Sequence, residues 1–222
     1  MLDIACQRVL EFLGLIAASS PPSSAYFEVS CNQSPLFNLS LDNENGKSRY
    51  QIYLWEYPSF SKRLLSHFSS VTSIPNIPEI TLYFQSLPPE VIPAFKCVVM
   101  PFRSVTWLRA SEQTLNFLLE SCDPHCLPNL HTLMTSHEKY HEWSRLALKY
   151  PYGIVVAFLQ HRKAIGLPLS ILDISDHPDS WIHDVEPLEH VSCLTIWYVD
   201  PATKTVADYV CGRNTLTRSD SY

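Results

Sequence analysis

Leu169-Ser170-Ile171-Leu172-Asp173-Ile174 (LSILDI) places apolar residues at its first, fourth and sixth positions, a spacing of the form LxxLxL. Side chains alternate along a strand, so Leu172 and Ile174 share one face while Ile171 and Asp173 share the other. A strand of this kind must find cover for its apolar face in neighbouring units. The spacing recurs at Ile77-x-x-Ile80-x-Leu82, Phe102-x-x-Val105-x-Trp107 and Val191-x-x-Leu194-x-Ile196. Leu130-x-x-Leu133-x-Thr135 and Ile52-x-Leu54 match less fully. The middle anchors 52, 80, 105, 133, 172 and 194 stand 28, 25, 28, 39 and 22 residues apart. Apart from the long interval, these lie within or near the roughly 20–29 residues of a leucine-rich repeat.

The segments between the anchors have helical spacing. Phe60 to Ser69, Glu112 to Ser121 and Gly153 to Ile165 each carry apolar residues on one side, and Gly166 and Pro168 close the third as a stop signal. Leu36-x-x-Leu39-x-Leu41 lies only 13 residues before Ile52, with Asn45-Gly46 between. That is too short for a repeat and fits a β-hairpin. Leu2 to Ile16 has the pattern of an amphipathic-to-buried helix. The expected fold is therefore α/β: a short leucine-rich-repeat-like solenoid with a strand and a helix per repeat, opened by a helix and a β-hairpin. Residues 1–24 would form the N-terminal helix and a Ser/Pro linker, 25–211 the repeat domain and 212–222 a polar tail.

Composition narrows the function. The chain has 222 residues, 46% of them apolar, and a net charge of −6. A net negative charge without basic clusters argues against nucleic acid as a partner. No apolar run reaches the roughly 18 residues of a membrane span. Asp3 and Glu11 interrupt the N-terminal apolar stretch, against a secretory signal. Seven scattered cysteines fit reduced thiols, placing the protein in the cytoplasm or nucleus. Seventeen prolines against five glycines suit many short elements joined by stiff loops.

Two clusters have metal-like spacing. His137-Glu138-Lys139-Tyr140-His141 spells H-E-x-x-H, the zinc-peptidase motif. On a helical wheel, however, Tyr140, Trp143, Leu146, Ala147 and Tyr150 form the core stripe. His137 and His141 fall opposite, beside Glu138, Glu142, Arg145 and Lys149. A zincin helix turns its histidines inward, so the segment reads as a solvated helix face. Cys122, His125 and Cys126 offer soft ligands, but structural zinc sites pair two such hooks and only one is visible. The expectation is no metal, no cofactor and no catalytic residue. The competing reading is a zinc-dependent metallopeptidase using His137, Glu138 and His141, and a zinc assay on purified protein separates the two.

Leu127 to Leu133 (LPNLHTL) and Val155 to Ser175 (VVAFLQHRKAIGLPLSILDIS) resemble fungal F-box proteins with degenerate leucine-rich repeats. So do Pro35 to Asn43 and Leu64 to Ile74; the likeness spans about 35 to 205. In that family the repeats present a substrate protein to a cullin-based ubiquitin ligase, and the F-box docks on the ligase adaptor. The resemblance thus implies a substrate receptor. No F-box segment is found: Leu87-Pro88-Pro89-Glu90-Val91-Ile92 resembles its opening, but Pro93 would break the first helix. A ligase adaptor becomes a partner only if an F-box exists outside this chain.

The expected function is non-enzymatic protein binding. If Ile52, Leu54, Ile80, Leu82, Leu194 and Ile196 face the core, alternation turns Tyr53, Trp55, Thr81, Tyr83, Thr195 and Trp197 to the open sheet. Aromatic side chains with polar tips dominate protein interfaces. These six are the candidate binding residues.

Overall fold

The computed structural model describes residue 11 and residues 23–30, 36–42, 50–55, 77–84, 92–100, 102–135, 153–176, 186–200 and 202–212. Its strands are β1 (Ser24–Ser30), β2 (Leu36–Asp42), β3 (Tyr50–Trp55), β4 (Glu79–Phe84), β5 (Trp107–Ala110), β6 (Thr132–Thr135), β7 (Ile171–Asp173), β8 (Thr195–Val199) and β9 (Val206–Val210). They form one nine-stranded sheet in the order β3-β2-β1-β4-β5-β6-β7-β8-β9. From β1 through β4 to β8 every neighbouring pair is parallel. Antiparallel pairs close both ends. The fold is α/β with a mostly parallel sheet.

The LxxLxL spacing predicts which strand face is buried, and the register agrees in β4, β6, β7 and β8 but not in β5. Ala25, Ile80, Leu108, Leu133, Leu172 and Ile196 pair in turn across six strands, and Tyr209 of β9 pairs with Ile196. All seven are buried. This row runs through the core perpendicular to the strands, so each anchor is covered by the one before it and the one after. Backbone bonds repeat the arrangement at the strand starts. Thr106 N donates to Pro78 O (2.8 Å), His131 N to Thr106 O (2.9 Å), Ser170 N to His131 O (3.0 Å) and Thr195 N to Ser170 O (2.8 Å).

Two anchors differ from the expected register. Ile80 pairs with Leu108, so the unit in β5 is Val105-x-x-Leu108-x-Ala110. Trp107 lies on the opposite face and is half-buried. Ile196, not Leu194, pairs with Leu172. Phe102, Val105 and Leu194 are buried all the same. Val105 and Leu108, three apart, satisfy the spacing in either frame, and pairing with β4 decides between them; Leu194 and Ile196, two apart, share one face, so the shift in β8 leaves the same side buried. Nor does β3 precede β4 in the sheet. Strand β1, which has no counterpart among the anchors, pairs with β4, and the predicted hairpin of β2 and β3 extends from β1.

Three helices among the described residues pack against the buried side: α1 (Ile92–Val99), α2 (Glu112–Ser121) and α3 (Gly153–Ala164). Phe95 and Val99 of α1, Leu115, Phe117 and Leu118 of α2, and Val155, Phe158 and Leu159 of α3 join the core. Pro93 does not break α1. It falls in the first turn, where its missing N–H has no helical partner to lose. Gly166 ends α3 at φ +78°. Its N–H donates to Lys163 O (3.1 Å), and Leu167 N donates to Arg162 O (2.9 Å), a left-handed stop that satisfies the last carbonyls. The segment 60–69 lies outside the described residues.

Helix α2 is tied to β4 by its own cap. Ser111 Oγ accepts from Thr114 N (3.3 Å) and donates to Phe84 O (3.2 Å). Thr114 Oγ1 accepts from Phe84 N (3.1 Å) and donates to Leu82 O (3.1 Å). Strand β5 pairs with β4 only as far as Ala110 opposite Leu82. The two hydroxyls therefore take over the pairing of β4 where its neighbour ends, and both residues are buried.

Candidate protein-binding face

The sheet face opposite the helices is built from the alternate residue of each strand. The register runs from Thr81 through Arg109, Met134 and Asp173 to Trp197. A second row, one strand pleat away, runs from Trp107 through Thr132 and Ile171 to Thr195. Most of these residues are half-buried, and Trp197 is 37% exposed. Thr132 and Met134, at the centre, are buried. Strand β6 lies between β5 and β7, and the Arg109 guanidinium on β5 is ion-paired with Asp176, just after β7. Both partners are more than one-third exposed, so solvent screens the pair and it contributes at most about 1 kcal/mol.

Register places the six predicted residues on one face. Tyr53 pairs with Asn38, Asn38 with Glu28 and Glu28 with Tyr83, so Tyr53 and Tyr83 stand in one row, with Trp55 two positions along. The side chains of Tyr53 and Trp55 lie outside the described part of the chain. Thr81, Tyr83 and Thr195 are half-buried.

The six do not form one cluster. Between β3 and β4 lie two strands, and between β4 and β8 lie three. At about 4.8 Å per strand, Tyr53 is about 14 Å from Tyr83, and Thr81 is about 19 Å from Trp197. Trp107, Arg109, Met134, Ile171 and Asp173 fill the latter gap. The sequence carried a signal for Met134, Ile171 and Asp173, which flank the correctly placed anchors Leu133 and Leu172. Trp107 and Arg109 were hidden by the shifted frame in β5. Along the row of Thr81 the charges alternate in sign, Arg109 then Asp173, with apolar Met134 and Trp197 between and beyond. Such a surface suits a protein with mixed charge and apolar contacts.

The metal-like clusters fare differently. His137 to Trp143 lies outside the described residues. Cys122 and Cys126 are half-buried and uncrosslinked. The His125 side chain is exposed, while its backbone N–H donates to Asp123 Oδ1 (2.7 Å). Among the described residues no group of three or more His, Cys, Asp or Glu could hold a metal ion. None of the described helices is long and apolar enough to cross a membrane.

No family model, curated protein or solved structure matches the chain.

Proposed function

We propose that the chain is a non-enzymatic protein-binding scaffold, a short leucine-rich-repeat-like solenoid whose open sheet face engages a partner protein. The observation that carries this reading is the division of each parallel strand. One set of residues forms the buried row from Ala25 to Ile196, and the alternate set presents Trp107, Arg109, Asp173 and Trp197 away from the helices. Large aromatics and an arginine set among smaller groups are the usual anchors of protein interfaces. From β4 to β9 each strand lies beside its predecessor, and a helix follows each of β4, β5 and β6, which supports the solenoid. The resemblance to F-box proteins with leucine-rich repeats supports a role as a ubiquitin-ligase substrate receptor. The adaptor would then bind through an F-box outside this chain.

Trp197→Ala tests the face with little risk to the fold, because the ring is more than one-third exposed. Capture of the partner from native extract should weaken by about 2 kcal/mol, roughly thirtyfold. The melting temperature should stay within about 2 °C of the parent. Tyr83→Ala should act in the same direction. If both variants capture the same proteins at full strength, the sheet face is not the binding surface.

A further inference from the structure

The loop that follows α2 brings two sulfurs together beside a buried cation. Cys122 caps the helix C-terminus. A tight turn follows, in which Cys126 N donates to Asp123 O (2.9 Å) and His125 N to Asp123 Oδ1 (2.7 Å). The turn folds the chain back, so that Cys126 follows the C-cap residue Cys122 by four positions on the same bend. Leu127 comes next at φ 52°, a left-handed conformation that a leucine rarely adopts. Arg162 of α3 holds the loop in this shape: its guanidinium donates to Cys126 O (2.9 Å) and Leu127 O (3.0 Å).

Arg162 is 2% exposed, and its Nε has no hydrogen-bond partner among the described residues. A cation this deep is costly unless an anion faces it. Burial pushes the Arg162 guanidinium below its ordinary range, and the nearby Cys126 thiol opposes that shift. The Cys122 S–H donor and the Arg162 guanidinium pull the Cys126 thiol below the usual thiol range, against burial and the Asp123 carboxylate. Donation to Cys126 and burial hold Cys122 above that range, although Lys96 opposes them. The two thiols are thus shifted in opposite directions, Cys126 down and Cys122 up.

We propose that Cys122 and Cys126 form an oxidisable dithiol site, with Cys126 the attacking sulfur and hydroperoxides the oxidant class. Both residues are half-buried and so remain reachable by a small oxidant. The Cys126 thiolate attacks one peroxide oxygen: an S–O bond forms, the O–O bond breaks and hydroxide leaves, so sulfur is oxidised and peroxide reduced. Cys122, four residues away on the same bend, then attacks the Cys126 sulfenic acid. An S–S bond forms, the S–O bond breaks, and the departing oxygen leaves with the Cys122 proton as water. Once Cys126 is oxidised, Cys122 no longer donates to a thiolate and its own proton is released more readily. Cys211 provides the contrast. It is buried, and desolvation together with the Glu189 carboxylate pushes its thiol up to about 11.

The test uses the full chain, reduced and then exposed to hydrogen peroxide, with free thiols blocked and peptides mapped by mass spectrometry. The expected product is a peptide lighter by its two thiol hydrogens, linking Cys122 to Cys126 and restored by dithiothreitol. It should form about tenfold faster than oxidation of Cys193, which is more exposed. In Cys122→Ser the resolving sulfur is gone, so dimedone should trap a sulfenic acid at Cys126. Arg162→Lys, if it folds, should slow the reaction. Oxidation of Cys193 ahead of an intact Cys122–Cys126 pair, or dimedone on Cys193 and not on Cys126, would overturn the proposal.

Discussion

Phe84→Ala is expected to destabilise the protein by about 3–5 kcal/mol, as truncation of a buried phenylalanine does. Phe84 is 1% exposed at the end of β4. Its ring packs edge-on against Phe95 of α1 (centroids 4.8 Å apart) and against Phe117 of α2 (5.4 Å). One side chain therefore joins the sheet to two helices, and its loss opens a cavity that neither ring can fill without leaving the other. Hydrogen exchange should quicken in α1 and α2 before it quickens in β8, because stacked units damage their neighbours first. Denaturant unfolding measures the total. A loss under about 1 kcal/mol would mean that α1 and α2 are not seated on β4 as described.

Thr114→Val should cost about 2–4 kcal/mol although the two side chains have nearly the same shape. The hydroxyl accepts from Phe84 N and donates to Leu82 O at a site closed to water. Each buried group left without a partner costs about 1–3 kcal/mol, and the valine leaves two. Thr195→Val on the half-buried opposite face should change stability by only about 0.5 kcal/mol. Urea midpoints of the two variants give the comparison directly. Equal midpoints would show that β4 satisfies its last backbone groups in another way.

The strand-and-helix order was legible because local spacing reports it. Helix α2 begins and ends where its apolar pattern does, and Gly166 with Pro168 marked the end of α3. Leu172 stood out because a single frame satisfied its unit. Val105 and Leu108 did not, since both are apolar and three apart, and the choice between them depends on pairing with Ile80. The sheet order at the N-terminal end was hidden for a related reason. Ala25, the β1 residue in the buried row, is small, and the strand announces itself by no LxxLxL unit, yet it separates the hairpin from β4.

The candidate site was half legible for the same physical reasons. Alternation from correct anchors gave Thr81, Tyr83, Thr195 and Trp197. Asp173 flanks the anchor Leu172, but Arg109 becomes visible only once β5 is set beside β4. The Cys122–Cys126 pair was legible as a cluster, but its companion Arg162 lies 36 residues away in sequence. No spacing rule connects them.

The most direct measurement of the central claim is site-specific photo-cross-linking in native extract. A benzophenone side chain would be placed at Thr81 or Trp197 on the sheet face, and at Gln113 or Gln160 on the exposed side of α2 or α3. One partner protein should cross-link from both sheet positions and from neither helix position. Cross-links of equal strength from the helices, or from the helices alone, would contradict it.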